Sequence, residues 1–390
     1  MNKRKLLRKM TVTLLLGGLV AGGWGAAAPS AQTAAAAPAC GSGDHGLLQE
    51  LQAKQASDGN APLSFNDISF LSGDTGRAAG NGFMIGTSNG GCQFQTIYEG
   101  QWNFRQMSFP DNVHGWALAS VQDGSANYLI ATSDGGSTWK RLGQQAVTFE
   151  RINFQDHKHG FGYNRASTYY TADGGASWSR IPTPPNTRGA EFTSRSSGWA
   201  VVVAPGEGYR VMKTADGGKS WSLALKAKYS YPEYGRVYVG GKQVYALLYG
   251  ETGMSQTSYS LYASSDNGAH FRRVIAESTA GGGPAPGSGQ AQHTSGPASG
   301  KPGNMQLAGG STAFLAGYSP AGEQVAVGRT YNGGADWVNL PAIEGYEGVI
   351  SFPDKQKGWL AASGPEGSSL YATADGGANW KVKFTFKGTE

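Results

Sequence analysis

The side chains with the most evident chemical potential in this sequence are acids and amides that recur in one short pattern. The pattern is [ST]-x-[DN]-[GN]-G-x-x-[WF], and TADGGASW at Thr171–Trp178 is a representative copy. Seven copies occur, and their third residues are Asn89, Asp134, Asp173, Asp216, Asp266, Asn332 and Asp375. A carboxylate can act as an acid, a base or a metal ligand, but catalysis needs dissimilar groups that converge on one point. Seven copies of one group therefore favour a structural role.

The residue types of this pattern, which we call the box, suit a tight turn between two strands. Consecutive glycines, or Asn-Gly, adopt positive φ at low steric cost. The Asp or Asn oxygen can accept hydrogen bonds from the N–H groups of its own turn. The aromatic residue that ends each box begins the next strand and can cover the turn; these residues are Phe94, Trp139, Trp178, Trp221, Phe271, Trp337 and Trp380.

The boxes divide the chain into repeats. They begin 45, 39, 43, 50, 66 and 43 residues apart, a period that is typical of propellers and solenoids. In five repeats an aromatic residue also precedes a glycine by six positions, as in Phe70/Gly76, Phe109/Gly115, Phe154/Gly160, Phe192/Gly198 and Phe352/Gly358. Short alternating runs between turn residues indicate four strands per repeat. The sequence therefore predicts an all-β, seven-bladed β-propeller over residues 65–390, with four antiparallel strands and one box per blade.

The box resembles the Asp box, or BNR repeat, of sialidases, sortilin-type receptors and the photosystem II assembly/stability factor family. In those families the box lies in the turn between the third and fourth strands of a blade, away from the ligand face. The phrase Phe-x5-Gly-Trp ahead of T-x-D-G-G-x-x-W is most similar to the photosystem II assembly group. The resemblance covers residues 65–386, and it implies a propeller fold and a protein partner.

The N-terminus has the features of a secretory signal peptide. Five positive charges lie in the first nine residues, and an apolar run at Thr11–Ala28 is followed by small residues up to Ala39. We expect residues 1–39 to form this leader, with an N-terminal membrane anchor as the alternative. Residues 40–64 then form a short N-terminal segment, in which His45–Gln55 has the periodicity of a helix.

The leader also accounts for the net charge. The formal charge of the whole chain is +5, residues 1–39 contribute five bases and no acid, and the rest of the chain therefore nets 5 − 5 = 0. We therefore expect no nucleic-acid partner and no membrane span once the leader is removed.

Two cysteines, Cys40 and Cys92, follow the leader. An even number of cysteines in an exported chain predicts one disulfide. The alternative is a lipoprotein anchored through Cys40, although Ala37-Pro38-Ala39 lacks the aliphatic residue that begins a lipobox. The predicted location is secreted or otherwise outside the cytoplasm.

The longest spacing between boxes contains Ser278–Asn304, which is rich in Gly, Pro and Ser and has few apolar side chains. Such a composition predicts a disordered loop. We expect this loop between the fifth and sixth blades.

No catalytic, metal-binding or cofactor-binding set is predicted. Arg180-Ile181-Pro182 matches the R-I-P of sialidases, but it follows a box, whereas in that family it precedes the first box. The arginine triad of a sialidase, with its Tyr/Glu pair and acid, cannot be assigned, and neither can the two carboxylates of a glycosidase. His157-Lys158-His159 could offer two imidazoles, but the equivalent positions of other repeats indicate a solvated turn.

Binding candidates lie in segments that join one predicted blade to the next. They are Tyr98, Trp102, Arg188, Tyr229, Tyr231, Tyr234 and Tyr346. Aromatic and charged residues on such loops suit recognition of a protein or a glycan, or else pack the loops themselves. We therefore expect an exported, monomeric, non-enzymatic binding or assembly platform for a protein partner. The alternative is a sialidase-like protein that binds or hydrolyses a cell-envelope glycan.

Overall fold

Antiparallel strands dominate the computed structural model, which describes residues 40–55, 63–121, 124, 126–297 and 300–387. The predicted leader at 1–39 lies outside the described residues. From Cys40 onward the chain forms a single unit. Its helix α1 spans Leu47–Gln55, inside the segment for which the sequence predicts a helix, and a 3₁₀ turn spans Pro320–Gly322.

The strands form six hydrogen-bonded sheets. Sheet 1 contains β1 (Phe65–Phe70), β2 (Gly76–Thr87), β3 (Gln95–Ser108), β4 (Gly115–Val121), β5 (Tyr128–Thr132) and β6 (Lys140–Arg141). Sheet 2 contains β7 (Arg151–Phe154), β8 (Gly160–Tyr163), β9 (Thr168–Thr171) and β10 (Ser179–Ile181). Sheet 3 contains β11 (Thr187–Phe192), β12 (Gly198–Ala204), β13 (Gly208–Thr214) and β14 (Ser222–Lys228).

The other three sheets follow in chain order. Sheet 4 contains β15 (Gly235–Gly240), β16 (Gln243–Gly253), β17 (Gln256–Ser264) and β18 (Arg272–Glu277). Sheet 5 contains β19 (Lys301–Leu307), β20 (Ala313–Ser319), β21 (Gln324–Thr330), β22 (Val338–Asn339) and β23 (Ile343–Glu344). Sheet 6 contains β24 (Glu347–Ser351), β25 (Gly358–Gly364), β26 (Gly367–Thr373) and β27 (Lys381–Lys387).

The all-β propeller class is confirmed, but the prediction of seven blades is wrong, because the described strands form six sheets. Two repeats share sheet 1, since the long strand β3 pairs with strands on both sides. Tyr98 in its first half lies opposite Met84 of β2, and Phe104 in its second half lies opposite Ala119 of β4. Sheet 1 consequently carries two boxes, at Thr87 and Thr132, whereas each other sheet carries one.

The aromatic-glycine pattern has a steric cause. An added Cβ at Gly115 would lie 2.2 Å from the ring of Phe109, so the ring can rest on this backbone only if the residue is glycine. The aromatic residue after the glycine packs on the next sheet: Trp116 stacks on Phe154 with ring centroids 3.9 Å apart and planes inclined by 4°. The pattern therefore builds both the interior of a repeat and its contact with the following one.

Polar side chains also join the first strands of neighbouring repeats. Three residues before the aromatic position, a side chain bonds to the backbone of the next first strand. Asp67 Oδ2 accepts from Met107 N at 2.6 Å, and Gln106 bonds to both N and O of Ile152 at 2.8 Å. Asn304 does the same with Ile350 at 2.8 and 3.0 Å. These side chains satisfy backbone groups at the edges of the inner strands, where no further strand is present.

The box geometry is that of a turn. In the copy that starts at Thr171, the threonine Oγ1 donates to Asp173 Oδ1 at 2.7 Å and accepts from Gly175 N at 2.8 Å. Asp173 Oδ1 also accepts from Ser177 N at 2.9 Å, and Gly175 has a φ of 92°. Hydrogen bonds from the side chain and backbone of Ser177 lower the pKa of Asp173 to about 2. The same Thr/Ser-to-Asp/Asn bond recurs in the other six copies.

The ring closes between sheet 6 and sheet 1. The N–H groups of Phe65 and Phe70 in β1 donate to the hydroxyls of Ser368 and Ser351 in sheet 6, at 3.0 and 3.1 Å. Each sheet is built from consecutive strands, so no strand is exchanged between the two ends of the chain.

The N-terminal segment covers this closure. Leu47 and Leu51 of α1 are buried in the apolar cluster that joins the two sheets. A disulfide links Cys40 to Cys92 of the first box, and His45 Nε2 lies 3.0 Å from the backbone oxygen of Lys383 in β27. The disulfide is the type of cross-link expected of a chain in an oxidising compartment.

Residues 278–304 differ from the disordered loop that their composition predicts. Their described part packs on sheet 4, where His293 forms a parallel bridge with Ile275 of β18. The oxygens of Pro284 and Pro286 accept hydrogen bonds from Ser258 and Ser260 of β17, and residues 301–304 begin β19. These hydrogen bonds from β17 hold the segment on sheet 4, although it has few apolar side chains to bury.

Among the described helices, none has the length and apolar character needed to cross a membrane.

Candidate functional site

The first strands of the sheets enclose two adjoining cavities in the middle of the ring. The larger, of about 390 Å³, is bordered by residues of β1, β15, β19 and β24. The smaller, of about 230 Å³, is bordered by residues of β7, β8, β11 and β15. Tyr234 and Arg236 line both cavities. Strands from distant parts of the chain therefore contribute to one place, the central channel, and we call the two cavities together the channel site.

The channel site is rich in arginine. Arg165, Arg188 and Arg236 line the smaller cavity together with Arg151 and one acid, Glu150. Arg165 and Arg236 are exposed and Arg188 is half-buried. In the described part of the chain, no carboxylate forms an ion pair with any of these three arginines. The site therefore has an excess of positive charge, even though the chain after the predicted leader is neutral overall.

Arg151 has a structural role instead. Its Nη1 forms an ion pair with Glu191 Oε2 at 2.7 Å, and its Nη2 donates to the oxygen of Ala190 at 2.7 Å. The guanidinium also lies 3.9 Å from the ring centroid of Tyr163. These contacts tie β7 to β11, and Arg151 is held in place by them.

Aromatic rings form the other part of the site. Tyr234 and Tyr249 stack with centroids 4.1 Å apart and planes inclined by 15°, and the guanidinium carbon of Arg165 lies 5.6 Å from the Tyr234 centroid. Burial raises the pKa of Tyr234, although the charges of Arg236 and Arg165 oppose the shift. The Tyr238 phenol in turn raises the pKa of Arg236 above its ordinary value. Uncharged phenols therefore lie beside charged guanidinium groups.

This arrangement can bind anions and planar groups. A guanidinium offers a flat set of donors that matches a carboxylate, and a tyrosine ring supports a cation, a peptide plane or another ring. The larger cavity adds the amides of Asn66 and Asn304 and one acid, Glu347. No group of three or more His, Cys, Asp or Glu side chains in the described ranges is placed to hold a metal ion.

The structure separates the seven predicted binding residues into four groups. Arg188 and Tyr234 line the channel site. Tyr229 and Tyr231 line a different cavity, on the outer side of sheet 3. Tyr346 is exposed between β23 and β24 and lines neither cavity.

Tyr98 and Trp102 are packing residues of sheet 1. The side chain of Trp102 is buried against Tyr128 with ring centroids 6.2 Å apart. Tyr98 packs edge-on against Phe104 at 5.5 Å, its hydroxyl accepts from Trp102 N, and burial raises its pKa.

Sequence reasoning missed Arg165 and Arg236, although one signal was present. Counting back four residues from the aromatic residue of the first strand reaches a polar, exposed or half-buried residue in four repeats (Asn66, Arg105, Glu150 and Arg188) and Gly348 in the fifth. The fourth sheet lacks that aromatic marker, so Arg236 could not be found in this way. Arg165 lies in the turn between β8 and β9, and no repeated pattern marks it.

No protein-family model and no curated protein matches the sequence. Solved structures do resemble the fold. The structure of YCF48 bound to D1 peptide has a TM-score of 0.50 at 14% identity, over 87% of this chain and 99% of that one. YCF48 from Cyanidioschyzon merolae has a TM-score of 0.50 at 15% identity, over 80% of this chain and 95% of that one.

A prolyl endopeptidase structure has a TM-score of 0.51 at 11% identity, over 82% of this chain but only 49% of that one. At these identities the likeness shows a shared propeller fold.

Proposed function

We propose that this protein is an extracytoplasmic binding protein that recognises an acidic peptide segment of a partner protein at the channel site. The observation that carries the proposal is the set Arg165, Arg188 and Arg236, which lines an open cavity without carboxylate partners among the described residues. Three guanidinium groups at one cavity, none with a carboxylate partner among the described residues, favour a ligand that supplies carboxylates.

The stacked pair Tyr234 and Tyr249 lets the site contact uncharged parts of a ligand as well. Tyr234 is fixed by its stack on Tyr249, so its ring is available to a ligand at little cost in side-chain entropy. Asn66 and Asn304 also border the adjoining cavity, but their NH2 groups already donate to Phe104 O and Ile350 O, at 2.9 and 2.8 Å. The channel site can thus hold carboxylates on its guanidinium groups and a ring or peptide plane against Tyr234.

Two further observations support a protein partner. A propeller of similar fold, YCF48, has been solved with D1 peptide bound, so this architecture is compatible with peptide binding. The disulfide is consistent with the oxidising compartment in which such a partner would be met. We propose that the protein acts by binding and not by catalysis.

The test is fluorescence anisotropy with a labelled peptide, Gly-Glu-Tyr-Glu-Gly-Glu, and its counterpart in which glutamine replaces glutamate. We expect saturable binding of the acidic peptide, weakened by added salt because charge attraction is screened. The double variant Arg165→Gln/Arg236→Gln should bind it at least about tenfold more weakly, since each lost charged hydrogen bond contributes roughly 1.5–3 kcal/mol.

The matched control is Arg180→Gln, which removes an exposed arginine of β10 outside the channel site. It should leave the affinity unchanged. Equal binding of both peptides, or equal affinity of the double variant and the parent protein, would refute the proposal. Turnover of a fluorogenic sialoside that the double variant loses would instead support the glycan-hydrolysing alternative.

A further inference from the structure

A further cavity lies outside the channel, on the outer side of sheet 3. It has a volume of about 940 Å³. Its walls are the turn Gly206–Arg210, the end of β14 with the following loop (Lys226–Tyr231), Glu251 of β16, and part of the segment Pro284–Ser288. We call it the outer groove. It shares no lining residue with the channel site.

One wall of the outer groove is a proline-containing stretch of this chain that is held in place by hydrogen bonds. Ser258 and Ser260 of β17 are fully buried, and their hydroxyls donate to the oxygens of Pro284 at 3.2 Å and Pro286 at 2.5 Å. Arg273 Nη2 donates to the oxygen of Ala285 at 3.1 Å. This wall is therefore ordered before any ligand arrives, and binding need not order it.

Aromatic rings also line the groove. Tyr229 stacks on Tyr209 with planes inclined by 17°, and its hydroxyl accepts from Glu251 N at 3.0 Å. Tyr231 is 65% exposed, so its ring is accessible to a ligand. Fixed tyrosines beside an exposed one form the kind of surface on which proline rings pack.

The charged residues of the outer groove indicate which charge its ligand carries. Lys226 and Lys228 alternate with the buried Ala227, so both ammonium groups lie on the exposed face of β14. Neither forms an ion pair within the described ranges, whereas the nearby Arg210 is paired with Glu207 at 2.6 Å. Glu251 is the remaining acid of the lining. Two unpaired lysines against one acid favour a ligand with negative charge.

We propose that the outer groove is a second binding site, for an extended, proline-rich peptide segment that carries acidic residues. Prolines pack on Tyr229 and Tyr231, and the acidic side chains pair with Lys226 and Lys228. A polyproline II segment suits this site because it is extended before binding and has no internal hydrogen bonds to break. The site is separate from the channel site, so a partner protein can be held at two points.

The experiment measures anisotropy of a labelled peptide, Gly-Glu-Pro-Pro-Glu-Pro-Pro-Glu-Gly, with the purified Arg165→Gln/Arg236→Gln protein, because the intact channel site would also bind an acidic peptide. The groove variants below are made in this protein. We expect saturable binding, at least tenfold weaker for Tyr231→Ala because an exposed aromatic anchor is lost. The double variant Lys226→Glu/Lys228→Glu should lose this peptide and gain the version in which lysine replaces glutamate. That exchange of specificity cannot result from misfolding.

Two controls separate this site from the rest of the molecule. Tyr346→Ala, added to the channel-disabled protein, removes an exposed tyrosine elsewhere and should leave the affinity for the proline-rich peptide unchanged. In the parent protein, Tyr231→Ala should leave the binding of Gly-Glu-Tyr-Glu-Gly-Glu unchanged. Unchanged binding of the proline-rich peptide in the groove variants, or no saturable binding in the channel-disabled protein, would overturn the proposal. Absence of saturable binding to the parent protein would also overturn it.

Discussion

At the scale of single residues, the side chains that join neighbouring first strands are not chemically equal. Gln106 and Asn304 are amides, which bond to the backbone in one protonation state. Asp67 occupies the equivalent position with a carboxyl group, and its removal from bulk water raises its pKa from 3.8 to about 7, although the N–H of Met107 opposes the shift. This junction therefore titrates near neutral pH, whereas its amide equivalents do not.

The raised pKa of Asp67 predicts how stability changes with pH. Between about pH 4 and about pH 7 the folded state holds a proton that the unfolded state has released, so the contribution of Asp67 to the free energy of unfolding falls as pH rises and levels off above about pH 7. Asp67→Asn should remove this decline, because Asn304 makes the same kind of contact. Urea unfolding of the parent protein and of Asp67→Asn, at about pH 5 and about pH 8, measures this decline. Asn304→Asp is the converse control and should introduce a decline; a parent and an Asp67→Asn variant with the same pH dependence would contradict the assignment.

At the scale of elements, the box is a turn that closes the last two strands of a repeat. Its threonine is the central group, since Thr171 Oγ1 donates to Asp173 and accepts from two backbone N–H groups. Thr171 is almost fully buried, whereas Ser177, which donates to the other oxygen of Asp173, is exposed. The two hydroxyls bond to one carboxylate from environments of different polarity.

This difference predicts unequal effects on stability. Thr171→Val keeps the shape but leaves the N–H of Gly175 buried without an acceptor, and we expect a loss of about 1–3 kcal/mol in the free energy of unfolding. Ser177→Ala exposes its former partner to water and should cost less than about 1 kcal/mol. Urea unfolding of both variants, read by tryptophan fluorescence, compares them. Equal losses in the free energy of unfolding would mean that the buried hydroxyl of Thr171 stabilises the turn no more than the exposed hydroxyl of Ser177.

At the scale of the whole molecule, the ends of the chain meet at one junction. Sheet 1 packs on sheet 6, α1 covers the contact, and the disulfide fastens the N-terminal segment to the first box. The residues it joins are 52 positions apart. Because each sheet contacts mainly its neighbours, an opening at this junction would expose two sheet faces at once.

Removing this cross-link should weaken the ring. For a loop of this length, Cys40→Ser/Cys92→Ser is expected to lower the free energy of unfolding by about 2–4 kcal/mol. Calorimetry should show a lower Tm for the variant, and a reductant should lower the Tm of the parent protein but not that of the variant. An unchanged Tm after verified reduction of both thiols would show that the junction holds without the disulfide.

The features that the sequence predicted correctly are local or repeated. The propeller class follows from a turn pattern whose residues bond within a few positions of one another, and the disulfide follows from the number of cysteines. The helix at Leu47–Gln55 lies within a short periodic stretch. In all seven copies of the box the threonine or serine hydroxyl bonds to the Asp or Asn side chain two residues later.

The features that needed the tertiary structure depend on partners far away in the chain. The number of boxes gives the number of repeats. The number of sheets, however, depends on β3, which pairs with β2 on one side and with β4 on the other. Residues 278–297 gain their path from hydroxyls of β17, which composition does not reveal. Likewise Arg165 comes from the β8–β9 turn, Arg188 from β11 and Arg236 from β15, and they form one site only because the ring brings these elements together. By itself the sequence determined the turns and their repetition, because these depend on contacts between residues close together in the chain. The tertiary structure decided the number of blades and the composition of the sites, because both depend on contacts between residues far apart in the chain.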